Sequence, residues 1–266
     1  MSRRCITLLT DFGTTDPYVA AMKGVALSVN PEVRLVDITH EVTPHDVTQA
    51  AYVLASTFRC FPQGTVHVAV VDPGVGSERR ILGAELEGHV FLAPDNGLLS
   101  LVWGETGPSR LVSVTNTAYF RHPVSMTFHG RDVFAPVAAH LTLGVDLGEM
   151  GKPVDDPVRL EMARMRTGEN LIEGKIVHVD RFGNLVTNIP RSEVRRLAAG
   201  EPGALRVEVG DAEIRGLSRT YAEAAVGELL ALFGSTDMLE ISANCGSAAD
   251  LLGIGRRTVV RVVRKG

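Results

Sequence analysis

The sequence predicts an α/β domain with a mainly parallel sheet over residues 1–150, followed by a smaller all-β, barrel-like domain over residues 165–266. Three observations predict it. Short apolar runs alternate with helical periodicity through the first half, the signature of a parallel sheet covered on both faces. A stretch rich in Gly, Pro and Asp, 148–157, then breaks that pattern, so the linker is expected at about 151–164. Beyond it, many short β-type runs are separated by turn residues and helical spacing is sparse.

In chain order, Ile6–Thr10 reads as a buried strand, and Pro17–Asn30 as a helix with Val19, Met22, Ala26 and Val29 on one face. Val33–Thr39 is the next strand and Asp46–Arg59 the next helix. Val66–Val71 is almost wholly apolar, as a strand buried on both faces should be. Strands follow at Arg80–Leu86, His89–Ala93 and Arg110–Thr115, and a helix at Arg131–Leu143 closes the half. The second half reads as strands at Ile172–Val179, Leu185–Ile189, Ala204–Val209, Leu229–Phe233, Met238–Ile241 and Thr258–Val263. No internal repeat or low-complexity tract interrupts the chain.

Composition narrows the function classes. Hydrophobic residues make up 45% and charged residues 22% of 266 residues, with a formal net charge of −4. Lys and Arg are spread out, which argues against nucleic acid or an anionic membrane surface as the main partner. Cys5, Cys60 and Cys245 are too few and too scattered for a disulfide framework or a zinc site, so a cytoplasmic location is expected. The apolar run after Met1 meets Thr10-Asp11 too soon for a signal peptide, and no run approaches the ~20 apolar residues of a membrane span.

Five segments place polar residues where folding alone does not ask for them. In Leu9-Thr-Asp-Phe-Gly-Thr-Thr-Asp-Pro-Tyr18, Asp11 follows the first strand, where parallel sheets gather ligands, and no dinucleotide glycine fingerprint is present. Asp16 precedes Pro17 as a helix N-cap would. In Val70-Val-Asp-Pro-Gly-Val-Gly-Ser-Glu-Arg-Arg80, Asp72 sits at the mouth of the most apolar strand and Arg79 and Arg80 are able to fold back toward it; an ordinary β-turn explains Asp-Pro equally well. In Thr127-Phe-His-Gly-Arg-Asp132, His129 lies outside the following helix, and Asp132 suits a helix cap. His129 with Asp132 also hints at metal ligation, but two ligands without a third at diagnostic spacing carry little weight, so no metal is expected.

The fourth segment, Asp180-Arg-Phe-Gly-Asn184, mixes polar and aromatic groups able to stack a base and bond its edge, or forms a hairpin turn on Gly183-Asn184. The fifth, Phe233-Gly-Ser-Thr-Asp237 with Ala243-Asn-Cys-Gly-Ser-Ala248, offers small residues and exposed backbone donors.

Taken in order, TDFGTTDPYVAAMKG, VVDPGVGSERR, APDNGLLSLV, TFHGRDVFAPVAAHL, DRFGNLVTNI and the Gly-Ser-rich close resemble the S-adenosylmethionine hydrolases, also called SAM hydroxide adenosyltransferases, relatives of the fluorinating and chlorinating adenosyltransferases. The resemblance implies a catalytic group of Asp72, Arg79 and His129, with Asp11 on the ribose hydroxyls. It implies Asp16 and Asp180 at the methionine amino end, Phe182 and Asn184 on the adenine side, Tyr221 as a stacking ring and Ser235 near the methionine carboxylate. It also implies S-adenosyl-L-methionine (SAM) as substrate rather than cofactor, no other cofactor, and a homotrimer with sites between the first domain of one subunit and the second domain of its neighbour. Where the halogenating relatives carry tyrosine and threonine, this chain has Asp72 and Val75, and their halide-pocket serine aligns roughly with His129. A carboxylate repels a halide, so hydrolysis is the expected reaction. The alternatives are a halide-using adenosyltransferase, a metal-dependent hydrolase built on Asp11, Asp72 and His129, and a non-catalytic SAM or adenosine binder.

Overall fold

The computed structural model describes residues 5–104, 106–161, 164–198 and 205–264. Met1–Arg4, Ala204 at the head of one expected strand, and residues 162–163 of the expected linker lie outside them. The chain divides into two compact units, Met1–Leu160 and Glu161–Gly266.

In the first unit, β1 (Cys5–Thr10), α1 (Tyr18–Val29), β2 (Arg34–Thr39), α2 (Val47–Thr57), β3 (Val66–Val70), β4 (Ile81–Leu86), β5 (His89–Pro94), α3 (Ser100–Trp103), β6 (Arg110–Val114), α4 (Ala135–Thr142) and β7 (Gly151–Pro153) follow in order. The strands form one sheet in the order β2-β1-β3-β5-β4-β6-β7. β2, β1, β3 and β5 pair in parallel, while β4, β6 and β7 add antiparallel pairings, so the sheet is mixed and mostly parallel. All five β3 residues are buried, His67 among four apolar ones, since both faces of the strand are covered.

Val19, Met22 and Ala26 of α1 are buried on the 3.6-residue period, and Val29 packs at the edge of the same core. One core cluster contains this face of α1 together with α4 residues such as Val137, Ala138 and Leu141; a second gathers Leu54 of α2, Phe58, Phe91 and Trp103. Burial on this scale contributes about 1.5–3 kcal/mol per large apolar side chain.

The expected helix at Arg131–Leu143 is divided. Gly130–Phe134 forms a π-helical turn, and α4 begins only at Ala135. Such turns widen a helix locally and recur at functional sites. Residues 151–160 stay with the first unit: β7 pairs with β6, the Val158 N–H donates to Asp95 at 2.8 Å, and the Leu160 N–H donates to Ser100 at 2.9 Å.

The second unit contains β8 (Arg166–Thr167), β9 (Leu171–Val179), β10 (Leu185–Pro190), α5 (Arg191–Ala198), β11 (Leu205–Val209), β12 (Ala212–Arg215), β13 (Leu229–Phe233), β14 (Met238–Ala243), α6 (Ala248–Leu252) and β15 (Val259–Arg264). Its sheet runs β12-β11-β15-β9-β10-β14-β13 with β8 beside β9, every pairing antiparallel. The end strands β12 and β13 also touch, so the sheet nearly closes into a barrel around Ile176, Leu185, Val207, Leu239, Ile241 and Val260. The helix α5 was not legible in the β-rich pattern. Its signal is short: Val194, Leu197 and Ala198 on one face, with Arg195 and Arg196 on the other.

Among the described residues, no helix is long and apolar enough to cross a membrane.

Candidate active site

At the carboxyl end of β3 the chain leaves the sheet through a tight turn in which the Val75 N–H donates to the Asp72 carbonyl at 3.2 Å. The β-turn expected for this segment is therefore present. Gly76 sits at φ +78°, and a Cβ there would lie 2.4 Å from the Met126 carbonyl oxygen, so only glycine lets the two loops approach this closely.

The turn brings Arg79 back over Asp72. Arg79 Nε donates to Asp72 Oδ1 at 2.9 Å and Arg79 Nη2 donates to Asp72 Oδ2, a bidentate fork. The two side chains are only 10% and 5% exposed, so the pair is largely withdrawn from water. Arg80, also a candidate to fold toward Asp72, turns the other way and bonds Asp95 at 2.7 Å.

Arg79 Nη2 also lies 2.9 Å from His129 Nδ1. Guanidinium only donates, so Nδ1 must carry a lone pair, and the neutral imidazole holds its proton on Nε2. Burial holds the His129 pKa below its usual value, the Arg79 charge pushes the same way, and the carboxylates of Asp72 and Asp132 oppose them. Burial first, and the Arg79 charge second, thus favour the neutral form of His129.

Asp132 does not cap a helix, contrary to expectation. It lies fully buried in the π-helical turn, where it accepts from Arg131 at 2.7 and 2.8 Å, from Arg121 at 3.0 Å and from the Ser125 N–H at 2.9 Å. Burial opposes its charge, but these donors prevail and lower its pKa to about 2. Asp132 anchors the loop that presents His129.

Asp11 follows β1 and accepts the His45 N–H at 2.8 Å on Oδ2. Asp11, Asp72 and His129 line one cavity of about 320 Å³ together with Phe12, Tyr18 and Phe128. The three rings form an edge-to-face and tilted cluster with centroids 5.2–6.1 Å apart. Asp16 is exposed and does not line this cavity; the residue before α1 is Pro17, with no side-chain cap. Its expected capping role is therefore corrected. The proline itself supplies the helix-compatible φ, near −76°, that starts α1.

The second unit gathers the other candidates. A pocket of about 610 Å³ is lined by Asp180, Phe182, Asn184 and Tyr221, with Ala243 to Gly246 completing the wall. Asp180 organises the β9–β10 turn, accepting the N–H groups of Phe182 and Asn184 at 2.9 Å each and the Asn184 side-chain amide at 2.8 Å. Gly183, at φ +81°, packs so closely on Ser247 that a Cβ would lie 2.0 Å from its Oγ. This leaves the Phe182 ring 75% exposed beside the buried Asn184.

The Tyr221 hydroxyl donates to Glu240 at 2.8 Å. Its pKa is pushed up to about 12 by burial first, then by the bond to Glu240 and the nearby carboxylate charges. Ser235 lies exposed in the β13–β14 turn and is not among the residues lining this pocket.

Several residues in or behind the two pockets carried no role in the sequence reading. Tyr18 and Phe128 stand inside quoted motifs, so their signal was adjacency. His45 had none, because its loop meets Asp11 only in the fold. Glu240 announced itself weakly, as a lone acid between Leu239 and Ile241 in an apolar strand. Among the described residues, no group of three or more His, Cys, Asp or Glu side chains is arranged to hold a metal ion.

Comparison with known proteins finds matches over both units. Residues 6–151 match the family model described as the SAM hydroxide adenosyltransferase N-terminal domain, and residues 174–261 match that of the C-terminal domain. The chain is 40% identical to an (R)-S-adenosyl-L-methionine hydrolase of Salinispora tropica over 94% of each chain. A Thermus thermophilus protein of the same name is 38% identical over 98% of this chain and 100% of its own. A fluorinase of an Actinoplanes species is more distant, 32% identical over 76% of this chain and 77% of its own. A crystal structure described as an uncharacterized conserved protein from Thermotoga maritima superposes with a TM-score of 0.92 at 36% identity, covering 97% of this chain and 100% of that one.

Proposed function

The chain belongs to the SAM hydroxide adenosyltransferase family, and from that premise we propose that it hydrolyses S-adenosyl-L-methionine to adenosine and L-methionine. The observation that carries the reading is the half-buried Asp72–Arg79–His129 network, whose Asp72 and His129 line the same cavity as Asp11.

Water oxygen attacks ribose C5′, the C5′–S bond breaks with its electron pair going to sulfur, and the proton shed as the 5′-hydroxyl forms is released to solvent. The sulfonium leaves as a neutral thioether, so no acid is needed to expel it. The difficulty lies with water, whose pKa of about 15.7 makes it a weak nucleophile. Arg79 engages both Asp72 oxygens, so we assign Asp72 to accepting a water hydrogen and aiming the oxygen at C5′, rather than to storing the proton. His129, with its proton on Nε2, has a donor available for the developing hydroxide, and Arg79 supplies the neighbouring positive charge. In-line positioning is worth up to about 7–11 kcal/mol, against roughly 10²–10⁴-fold for a positioned base, so geometry carries more of the rate than basicity.

Asp11 takes the ribose hydroxyls, Phe182 and Tyr221 flank the adenine, and Asn184 bonds its edge. Asp16 and Asp180 are assigned to the methionine amino group and Ser235 to its carboxylate. Asp11, Asp72 and His129 line a pocket within the first unit, and Asp180, Phe182, Asn184 and Tyr221 line another within the second, which supports a homotrimer whose sites join the first unit of one copy to the second unit of a neighbour. We further propose that the enzyme is cytoplasmic and works without a metal or cofactor.

The test is chromatography of metal-free protein incubated with SAM, each sulfonium epimer separately, because the named relatives carry the (R) designation. Adenosine and methionine in equal amounts are expected, unaffected by chelator. A 5′-chloro nucleoside in the presence of chloride would convert the reading to halogenation, and intact substrate that remains bound would convert it to a binding protein.

A further inference from the structure

The loop that carries Asp72 and Arg79 is gripped at both ends by two consecutive residues outside it. Asp95 and Asn96 follow β5 directly, at the same sheet end as the cavity. The Asn96 side-chain amide donates to the Val71 carbonyl at 2.9 Å, the residue before Asp72. The Asp95 N–H donates to the Arg80 carbonyl at 2.9 Å, the residue after Arg79. Asp95 Oδ2 accepts Arg80 Nε at 2.7 Å, and the other oxygen accepts the Val158 N–H at 2.8 Å. The remaining Arg80 nitrogens donate to the Asp156 carboxylate at 2.6 Å and the Asp156 carbonyl at 2.7 Å.

We propose that Asp95 and Asn96 are positioning residues for the reaction, holding residues 71 and 80 so that Arg79 meets Asp72 and His129 together. This rests on the hydrolase reading above. Asp95 is 3% exposed, and a carboxylate that deeply buried is costly to desolvate even when paired. Simple loop closure is cheaper with an apolar residue; what a buried, fully bonded carboxylate adds is a single geometry. Arg79 Nη2 has to reach two acceptors at once, so a shift of about 1 Å at its loop end breaks one of them, a displacement that costs on the order of 10²-fold in rate. Neither Asp95 nor Asn96 lines the cavity, so substrate affinity has no direct stake in them.

The experiment compares wild type, Asp72→Asn, Asp95→Asn, Asn96→Ala and Arg80→Lys as full-length protein. Asp95→Asn and Asn96→Ala are expected to lower kcat about 10–100-fold with KM within about twofold. Arg80→Lys keeps the charge toward Asp95 and is expected to retain more kcat than Asp95→Asn. The ring ¹⁵N resonances of His129 form a second readout that needs no substrate: the Nδ1 signal should move when its Arg79 donor is lost. Unchanged kcat with an unmoved Nδ1 signal would overturn the proposal, as would a parallel loss of kcat and affinity. If Asp95→Asn does not fold, Asn96→Ala and Arg80→Lys decide by the same measures. If wild type does not hydrolyse SAM, the functional reading fails, and the His129 signal still decides the positioning claim.

Discussion

The two candidate pockets are built on opposite principles. In the first unit the polar side chains are at least half-buried and tied to one another: Arg79 forks onto Asp72, reaches His129, and sits on a loop pinned at both ends. In the second unit a single turn does the work: Asp180 gathers three donors within four residues and leaves Phe182 exposed. The first arrangement suits chemistry, where the direction of a donor decides the rate. The second suits binding, where an aromatic face contributes area and tolerates small displacements.

That contrast is open to attack, first where the effect should be largest. Arg79→Ala and Asp72→Asn are each predicted to lower kcat by about 10²–10⁴-fold while SAM affinity changes little. Retained turnover in Asp72→Asn, or a pure affinity loss in Arg79→Ala, would move the first pocket into the binding class. In the second unit, Phe182→Ala should raise KM by about 10–100-fold with kcat nearly unchanged, the scale of one lost base stack of about 1–3 kcal/mol. A kcat loss there would erase the distinction.

pH sharpens it further. Protonating His129 removes the lone pair that accepts from Arg79, so activity should fall on the acid side. Because burial and Arg79 lower this pKa, the fall should come below the ordinary histidine value of 6.5. A kcat profile that drops at or above that value would contradict the assignment.

The smallest effect on activity is expected from the fold beneath the first pocket, where the readout is stability. His67 is fully buried, bonded to Thr7 at 2.7 Å and to His89 at 3.1 Å, and burial depresses its pKa to about 3. The unfolded chain takes up this proton first, so stability is intact above pH 6.5 and declines from there down toward about 3. The slope should be about 1.4 kcal/mol per pH unit for one such group. Denaturant titrations between those limits should flatten in His67→Gln; an unchanged slope would mean other groups dominate acid unfolding.

Much of the fold was legible because its signals are local. Alternating runs and turns located β1 to β6, α1 and α2 within a residue or two, since each is written in contiguous apolar spacing. The misses have local causes as well. The edge strand β7 is three residues long, α5 shows barely two turns of amphipathic spacing, and the π-helical turn delays α4 because Arg131–Phe134 read as ordinary helix. Asp16 was misread as a cap because Asp before Pro has the residue types of a cap while the chain starts its helix one residue later.

The candidate site was legible as a set of motifs and not as a geometry. Sequence by itself determined which residues are chemically able to act: a carboxylate, a guanidinium and an imidazole in strand-end loops, and an aromatic turn in the β-rich half. It also determined the family, because six ordered segments span the chain. Tertiary structure decided that Arg79 meets Asp72 and His129 together while Arg80 turns to Asp95, which nitrogen of His129 carries the proton, and that Asp132 anchors a loop instead of capping a helix. The physical reason is range. Propensity and spacing act over a few residues, whereas Asp72 and His129 are 57 positions apart and meet through Arg79 only after the sheet has set their loops side by side.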